Sequence, residues 1–265
     1  MRAAASQRQR VREQYVDWLN DRLSSRDRAI LTTLAKIRVA TGEQLERLHF
    51  AELAGRSRTV VRWRVLKRLV DWRVLVPLQR RIGGSLHGSA KLVFALDTAG
   101  QRLTAHEASQ RRPRLPGERF LAHTLDVSEL YVQLREAAHS DGFEVSAFQT
   151  EPGCWVADGL GSWLKPDAYA VLSTETHDDD WWLEIDRATE HLPTLRRKLA
   201  AYVDFARRGQ LAPSGVMPRV LVTVPDKERR EAVASLIDGF SDLFGLVHVQ
   251  CFNTAANFLS KTTKL

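Results

Sequence analysis

Apolar positions recur at helical spacing from Ser25 to Ile37, behind a polar start, and predict a first helix. Thr41-Gly42-Glu43-Gln44 has the spacing at which a threonine and a glutamine side chain each satisfy the other's free backbone N–H. A second, short helix is therefore expected there, with Leu45 and Leu48 facing inward. After the turn at Ala54-Gly55-Arg56, Ser57 is placed to cap a third helix, apolar at Val61, Val65, Leu66 and Leu69 and basic at Arg58, Arg62, Arg64 and Arg68. Two strand-like runs, VLVPLQRR and KLVFAL, flank the Gly-rich IGGSLHGSA, and Leu96 to Gly100 opens another helix. Three helices ending in a basic one, then a hairpin, is the order of a winged helix-turn-helix domain. It is expected over residues 25–108, behind a basic extension over 1–24. The third helix would enter a major groove, while Arg80, Arg81, His87 and Lys91, at or beside the hairpin tip, would meet phosphates or a minor groove.

Arg111 to Gly117 is too rich in Pro and charge for a core and reads as part of a linker over 109–118. Beyond it, Leu121, Leu125, Leu130 and Leu134 predict a long amphipathic helix. EVSAFQTEP, KPDAYAVL and WWLEIDRA read as strands, followed by a helix started by Pro193, the strand PRVLVTV, the helix KERREAVASLIDGF and the strand LVHVQCF. That order predicts an α/β domain with a central mixed sheet over 119–265.

Composition narrows the function classes. At 265 residues and 44% hydrophobic the chain has material for packed cores, which excludes a disordered protein. Cys154 and Cys251 form no CxxC pair and have no His at ligand spacing, so no zinc finger or disulfide framework is indicated and a reducing, cytoplasmic setting is expected. The basic N-terminus lacks the apolar core of a signal peptide, and no apolar run approaches the roughly 20 residues of a membrane span, so a soluble protein without a membrane partner is expected. The net charge of +7 is unevenly spread: through Leu115, 24 Lys and Arg face 10 Asp and Glu, and the remainder is net acidic. A basic half suits a polyanion such as double-stranded DNA, and an acidic half is where cations collect; a merely solvated basic surface is the alternative. Gly83 and Gly88 have P-loop spacing but are followed by Ser89-Ala90, and Gly83 to His87 lacks the last Gly of a nucleophile elbow.

In LKPDAYAVLSTETHDDDWWLEIDRATE, carboxylates fall inside apolar strands, where losing water is costly unless they are paired or bind a cation. Strand alternation puts Lys165, Asp167 and Tyr169 on one face, and Trp182, Glu184 and Asp186 on one face of the next strand. Paired around the THDDD turn, the strands would bring three carboxylates together, a place for Mg²⁺ or Mn²⁺ and for phosphodiester hydrolysis. Each residue also has a structural reading: Asp167 as a strand-end cap, Glu184 and Asp186 as partners of Arg187, Arg196 or Arg197, Lys198 as a solvated helix residue. Asp178-Asp179-Asp180 reads as a solvated turn, and Trp181 and Trp182 as packing residues.

With Pro166-Asp167 and Glu184 in place, the second domain resembles the PD-(D/E)XK nuclease superfamily. The lysine expected two residues after the acid is Asp186 here. The resemblance implies that Lys198, on the following helix, supplies it and that Glu129, on the long first helix, is a further acid, giving Asp167, Glu184, Asp186 and Lys198 as catalytic and the three acids with Glu129 as metal ligands. From the basic domain through KPDAYAVL, LEIDRATE and RRKLAAY, the chain is similar to the replication-relaxation family of plasmids and integrative conjugative elements, whose recurring pattern His123, Glu184, Asp186, Arg187, Thr189, Glu190, Lys198 and Tyr202 match. That resemblance implies action in plasmid replication or mobilisation, with double-stranded DNA and replication or transfer proteins as partners. His123, taken alone, reads as a satisfied core histidine. Two functions remain open: a metal-dependent endonuclease or nickase, and a non-catalytic regulator or replication adaptor built on a degenerate nuclease fold.

Overall fold

The structure is a computed structural model in which residues 11–78, 92–104, 117–239 and 245–264 are described. The chain divides into two compact units, Met1–Pro116 and Gly117–Leu265. Most of the stretch expected as a linker, and the hairpin tip with Arg80, Arg81, His87 and Lys91, lie outside the described residues.

The first unit runs α1 (Glu13–Asn20), α2 (Ser25–Ile37), β1 (Val39–Thr41), α3 (Gly42–His49), α4 (Gly55–Asp71), β2 (Leu75–Leu78), β3 (Val93–Leu96) and α5 (Thr98–Thr104). The stretch expected as an extension up to residue 24 thus carries α1. Leu19 is fully buried, Trp18 meets Trp72 edge-on, and the Tyr15 hydroxyl donates to Trp72 O at 3.0 Å. Ser24 and Asp27 close a reciprocal cap on α2, and Thr41 and Gln44 close one on α3, with Gln44 Oε1 2.8 Å from Thr41 N. Helix α4 starts two residues before the expected Ser57 cap, behind Ala54. A three-stranded antiparallel sheet, ordered β1-β3-β2, backs these helices. Gly100 on α5 packs so tightly that a Cβ there would stand 2.2 Å from Val74 O, so only glycine fits.

The second unit contains α6 (Glu118–Asp141), β4 (Glu144–Thr150), β5 (Val156–Ala157), β6 (Trp163–Leu164), β7 (Ala168–Ser173), β8 (Asp178–Ile185), α7 (Leu192–Arg207), β9 (Arg219–Val224), α8 (Lys227–Asp238), β10 (Val247–Cys251) and α9 (Ala255–Thr263). Its main sheet is mixed, ordered β10-β9-β8-β7-β4, with β8, β9 and β10 parallel and β4, β7 and β8 antiparallel. Trp181 and Trp182 are both fully buried and point to opposite faces of β8: Trp182 against Tyr202 and Phe205 of α7, Trp181 against Phe258 of α9. Three features differ from the sequence expectation. The small ribbon β5–β6 and the helix α9 are additional, and Asp178-Asp179-Asp180 begins β8 instead of forming the turn. Asp179 is drawn into the sheet because Arg219 on adjacent β9 pairs with it and Thr263 donates to it at 3.3 Å. No helix among the described residues is long and apolar enough to cross a membrane.

Candidate functional site

Glu184 sits in β8 at the middle of the sheet, opposite Val222 of β9, with 2% of its side chain exposed. Its neighbour on the α7 side is set by helical spacing: Lys198 and Tyr202, four residues apart, lie on one face of α7. The Lys198 ammonium pairs with Glu184 Oε2, and the Tyr202 hydroxyl donates to Glu184 Oε1. Asp167 lies one residue before β7, where its N–H still donates to Leu183 O at 3.1 Å. Its Oδ2 accepts from Ile185 N at 2.7 Å, while Oδ1 is 3.7 Å from Lys198 Nζ and 3.2 Å from His123 Nε2 on α6. Lys198 is therefore the cation shared by the buried Glu184 carboxylate and the half-buried Asp167 carboxylate. The group opens into a cavity of about 640 Å³, lined also by Phe120, Ile185, Asp186, Arg187, Thr189 and Glu190.

Burial governs the electrostatics of this group. It pushes the Glu184 carboxyl up to about 8, and the charge of Asp167 adds to the rise while Lys198 opposes it. Burial also disfavours charge on Lys198, but the facing carboxylates of Glu184 and Asp167 outweigh it and hold the ammonium above the usual lysine range. At Asp167 burial is again opposed, here by the hydrogen bond from His123 and the charge of Lys198, and the carboxyl stays below its ordinary value. The same hydrogen bond holds His123 above the usual imidazole value against its burial. Burial, then the Glu184 charge, raises Tyr202. The arrangement is one strongly held cation, one firmly ionised carboxylate and one carboxyl poised near neutrality, a pattern common where protons or anionic groups are handled.

The other expected residues are placed differently. Asp186 lines the cavity, but its Oδ2 is held by Arg229 Nε of α8 at 2.6 Å and its Oδ1 by Ala188 N at 2.8 Å, so it does not join Asp167 and Glu184. Glu129 is not among the residues lining the cavity; one turn further along α6, Gln133 donates to it at 3.4 Å. In its place α6 contributes His123 and, three residues on, Asp126, which pairs with Arg187 at 3.3 Å. Among the described residues no three His, Cys, Asp or Glu side chains form a metal-holding group. His123 has its hydrogen-bond need met, as expected, and its partner is Asp167, while Tyr202 acquires a definite role beside Glu184. The i, i+4 spacing of Lys198 and Tyr202 could have signalled that role. Nothing in the sequence signals the Asp186–Arg229 pair, which spans 43 positions.

In the first unit, three of the four arginines expected to face outward bind their own unit. Arg58 Nε donates to Leu53 O at 2.7 Å, Arg62 pairs with Glu46 at 2.9 Å, and Arg68 pairs with buried Asp27 at 2.6 Å. The exposed face of α4 instead carries Arg56, Trp63 and Arg64, with Trp63 59% exposed, and Lys67, which pairs with Asp71 at 2.6 Å.

One protein family, described as replication-relaxation, has a model that matches residues 31–220, well over half of the chain and including Asp167, Glu184, Lys198 and Tyr202. Nothing among curated proteins and nothing among solved structures matches.

Proposed function

The chain belongs to the replication-relaxation family, which points to a replication-related role on a plasmid or mobile element; from that premise we propose a DNA-binding protein that acts in replication or mobilisation and nicks or cleaves DNA. In this reading the first unit is a winged helix-turn-helix domain, and α4 presents Arg56 and Arg64 to phosphates. The second unit is a nuclease-like domain of the PD-(D/E)XK kind. The observation that carries the proposal is the convergence of Asp167, Glu184 and Lys198 at a cavity of about 640 Å³.

The donor set suits Mg²⁺ or Mn²⁺, which take one or two carboxylates and fill their other positions with water and phosphate oxygens. Asp167 Oδ1 and Glu184 Oε2 are directed at one point, held here by the Lys198 ammonium. Those two residues would hold the ion, without Asp186 or Glu129, and the ion would supply an acidified water. The chain's own residues carry the rest of the chemistry. Lys198, kept cationic by its carboxylates, neutralises charge developing on a phosphate oxygen as it leaves Glu184. Tyr202 holds the carboxyl plane of Glu184, and the Ile185 N–H fixes Asp167 Oδ2 so that Oδ1 stays turned to the cavity.

A specific observation favours a second reading. All four carboxylate oxygens of Asp167 and Glu184 already face a protein donor: Ile185 N–H, Lys198 and His123 for Asp167, Lys198 and Tyr202 for Glu184. So complete a network suits a non-catalytic adaptor whose charges are internal glue. Plasmid relaxation by the full chain with Mg²⁺, Mn²⁺ or EDTA, beside Glu184→Gln, separates the two. Relaxation that requires metal and Glu184 is expected. A plasmid that stays supercoiled while a gel shift shows it bound overturns catalysis in favour of the adaptor.

A further inference from the structure

Strands β5 and β6 form a ribbon in which Val156 pairs with Leu164 and Ala157 with Trp163. Side chains alternate across it. Leu164 is buried in the core beneath α7, and Val156 packs against the same core. By the same alternation Trp155, Ala157, Trp163 and Lys165 share the outer face. Trp163 is 56% exposed, and the Lys165 ammonium lies 4.9 Å from the centre of the Trp155 ring. This small sheet therefore turns the Trp163 indole and the Lys165 cation to solvent, with the half-buried Trp155 beneath the cation. An exposed tryptophan is a poor choice for a surface that only needs solubility, because it leaves a large apolar ring in water.

The position of the ribbon matters as much as its composition. Lys165-Pro166 runs directly from β6 into Asp167, and Cys154 Sγ, at the ribbon's start, donates to Pro166 O at 3.1 Å. Four extended residues span at most about 14 Å, which bounds the distance from Trp163 to Asp167. The turn is rigidly closed: Asp158 Oδ1 accepts from Leu160 N and Ser162 N at 2.8 and 2.9 Å, and Arg208 donates to Asp158 O at 3.1 Å. Aromatic faces beside a cation, on a fixed strand pair, are the chemistry that stacks unpaired bases and holds their phosphates, without selecting sequence.

We infer that the outer face of the β5–β6 ribbon is a binding platform for single-stranded DNA, with Trp163 stacking an unpaired base and Lys165 meeting a phosphate, so that an unwound strand is held next to the Asp167–Glu184–Lys198 cavity. The inference deepens the DNA-processing reading and rests on it, by naming the strand state of the substrate. Leu160, exposed at the ribbon turn, is aliphatic and makes a second copy of the chain the competing occupant.

The test uses the full chain and a fluorescein-labelled oligothymidylate, with excess unlabelled duplex present to saturate the first unit, read by anisotropy. Trp163→Ala is expected to weaken oligothymidylate binding by about tenfold or more, and Trp163→Phe to restore most of it. Lys165→Gln is expected to make the salt dependence shallower by roughly 0.7 in log–log slope. Unchanged affinity in Trp163→Ala overturns the inference. So does a variant that loses self-association by analytical ultracentrifugation while keeping its affinity for the oligonucleotide, since the face then belongs to a second copy. Failure of catalysis is read separately, from the Glu184→Gln relaxation assay: Trp163-dependent strand binding without relaxation leaves this inference standing and removes the nuclease.

Discussion

Each unit buries a carboxylate and pairs it with a basic residue from a later helix, yet the two pairs do different things. Asp27 is fully buried in the first unit; its Oδ2 accepts from Ser24 N at 2.9 Å and from Arg68 at 2.7 Å, so one side chain caps α2 and ties it to α4. Glu184 in the second unit is also almost fully buried and paired, but its partner Lys198 is shared with Asp167 and lines an open cavity with it. A buried ion pair by itself is weak evidence of function. The second carboxylate on the same ammonium, and the space beside it, are what separate a site from a structural tie.

The largest effect that would break this comparison is on stability. Asp27→Ala removes a cap and the charge-assisted hydrogen bonds to the partly exposed Arg68, so a loss of about 2–3 kcal/mol is expected in urea denaturation of the full chain. Glu184→Gln should cost less than about 1 kcal/mol, because a neutral isostere replaces a carboxyl that burial already drives toward its neutral form and Lys198 keeps Asp167 as counterion. Equal losses in the two variants would make Glu184 a structural tie like Asp27.

Next in size is DNA affinity. Replacing Arg56 and Arg64 with alanine should lower the log–log salt slope of duplex binding by roughly two, one for each phosphate contact. Arg62→Ala should leave that slope unchanged, since its guanidinium is occupied by Glu46, and should cost at most about 1 kcal/mol of stability. A slope that responds to Arg62 as strongly as to Arg64 would return α4 to the orientation its sequence suggested.

A further expected effect is on pH dependence. Burial pushes the Glu184 carboxyl from its ordinary value of 4.5 up to about 8, so the native state holds an extra proton over that range. Stability is thus greatest at the acid end of that window and falls as pH rises toward about 8. Melting temperatures of the wild type in EDTA should decline over this range more steeply than those of Glu184→Gln; parallel curves would show that Glu184 is ionised throughout.

Much of this was legible in the chain itself. Helical spacing marked α2 and α6, reciprocal capping marked α3, and strand alternation put Trp182 and Glu184 on one face, because these features depend on neighbours a few residues away. The same local logic failed at the N-terminus. Few apolar residues mark α1, which is held by Trp72, more than fifty positions on. It failed again at Asp178–Asp180, whose charge reads as a turn until Arg219 on the adjacent strand is counted.

The sequence by itself determined the two-part division of charge, the α/β order of the second unit and the candidacy of Asp167 and Glu184, since composition and periodicity are properties of the chain; Lys198 became a candidate only through the family resemblance. Only the tertiary structure decided which charges are free and which are tied: Arg62 to Glu46, Arg68 to Asp27, Asp186 to Arg229, and His123 to Asp167. The physical reason is that an ion pair depends on distances of a few ångströms between groups that can lie tens of residues apart, and no spacing rule along the chain encodes such a distance.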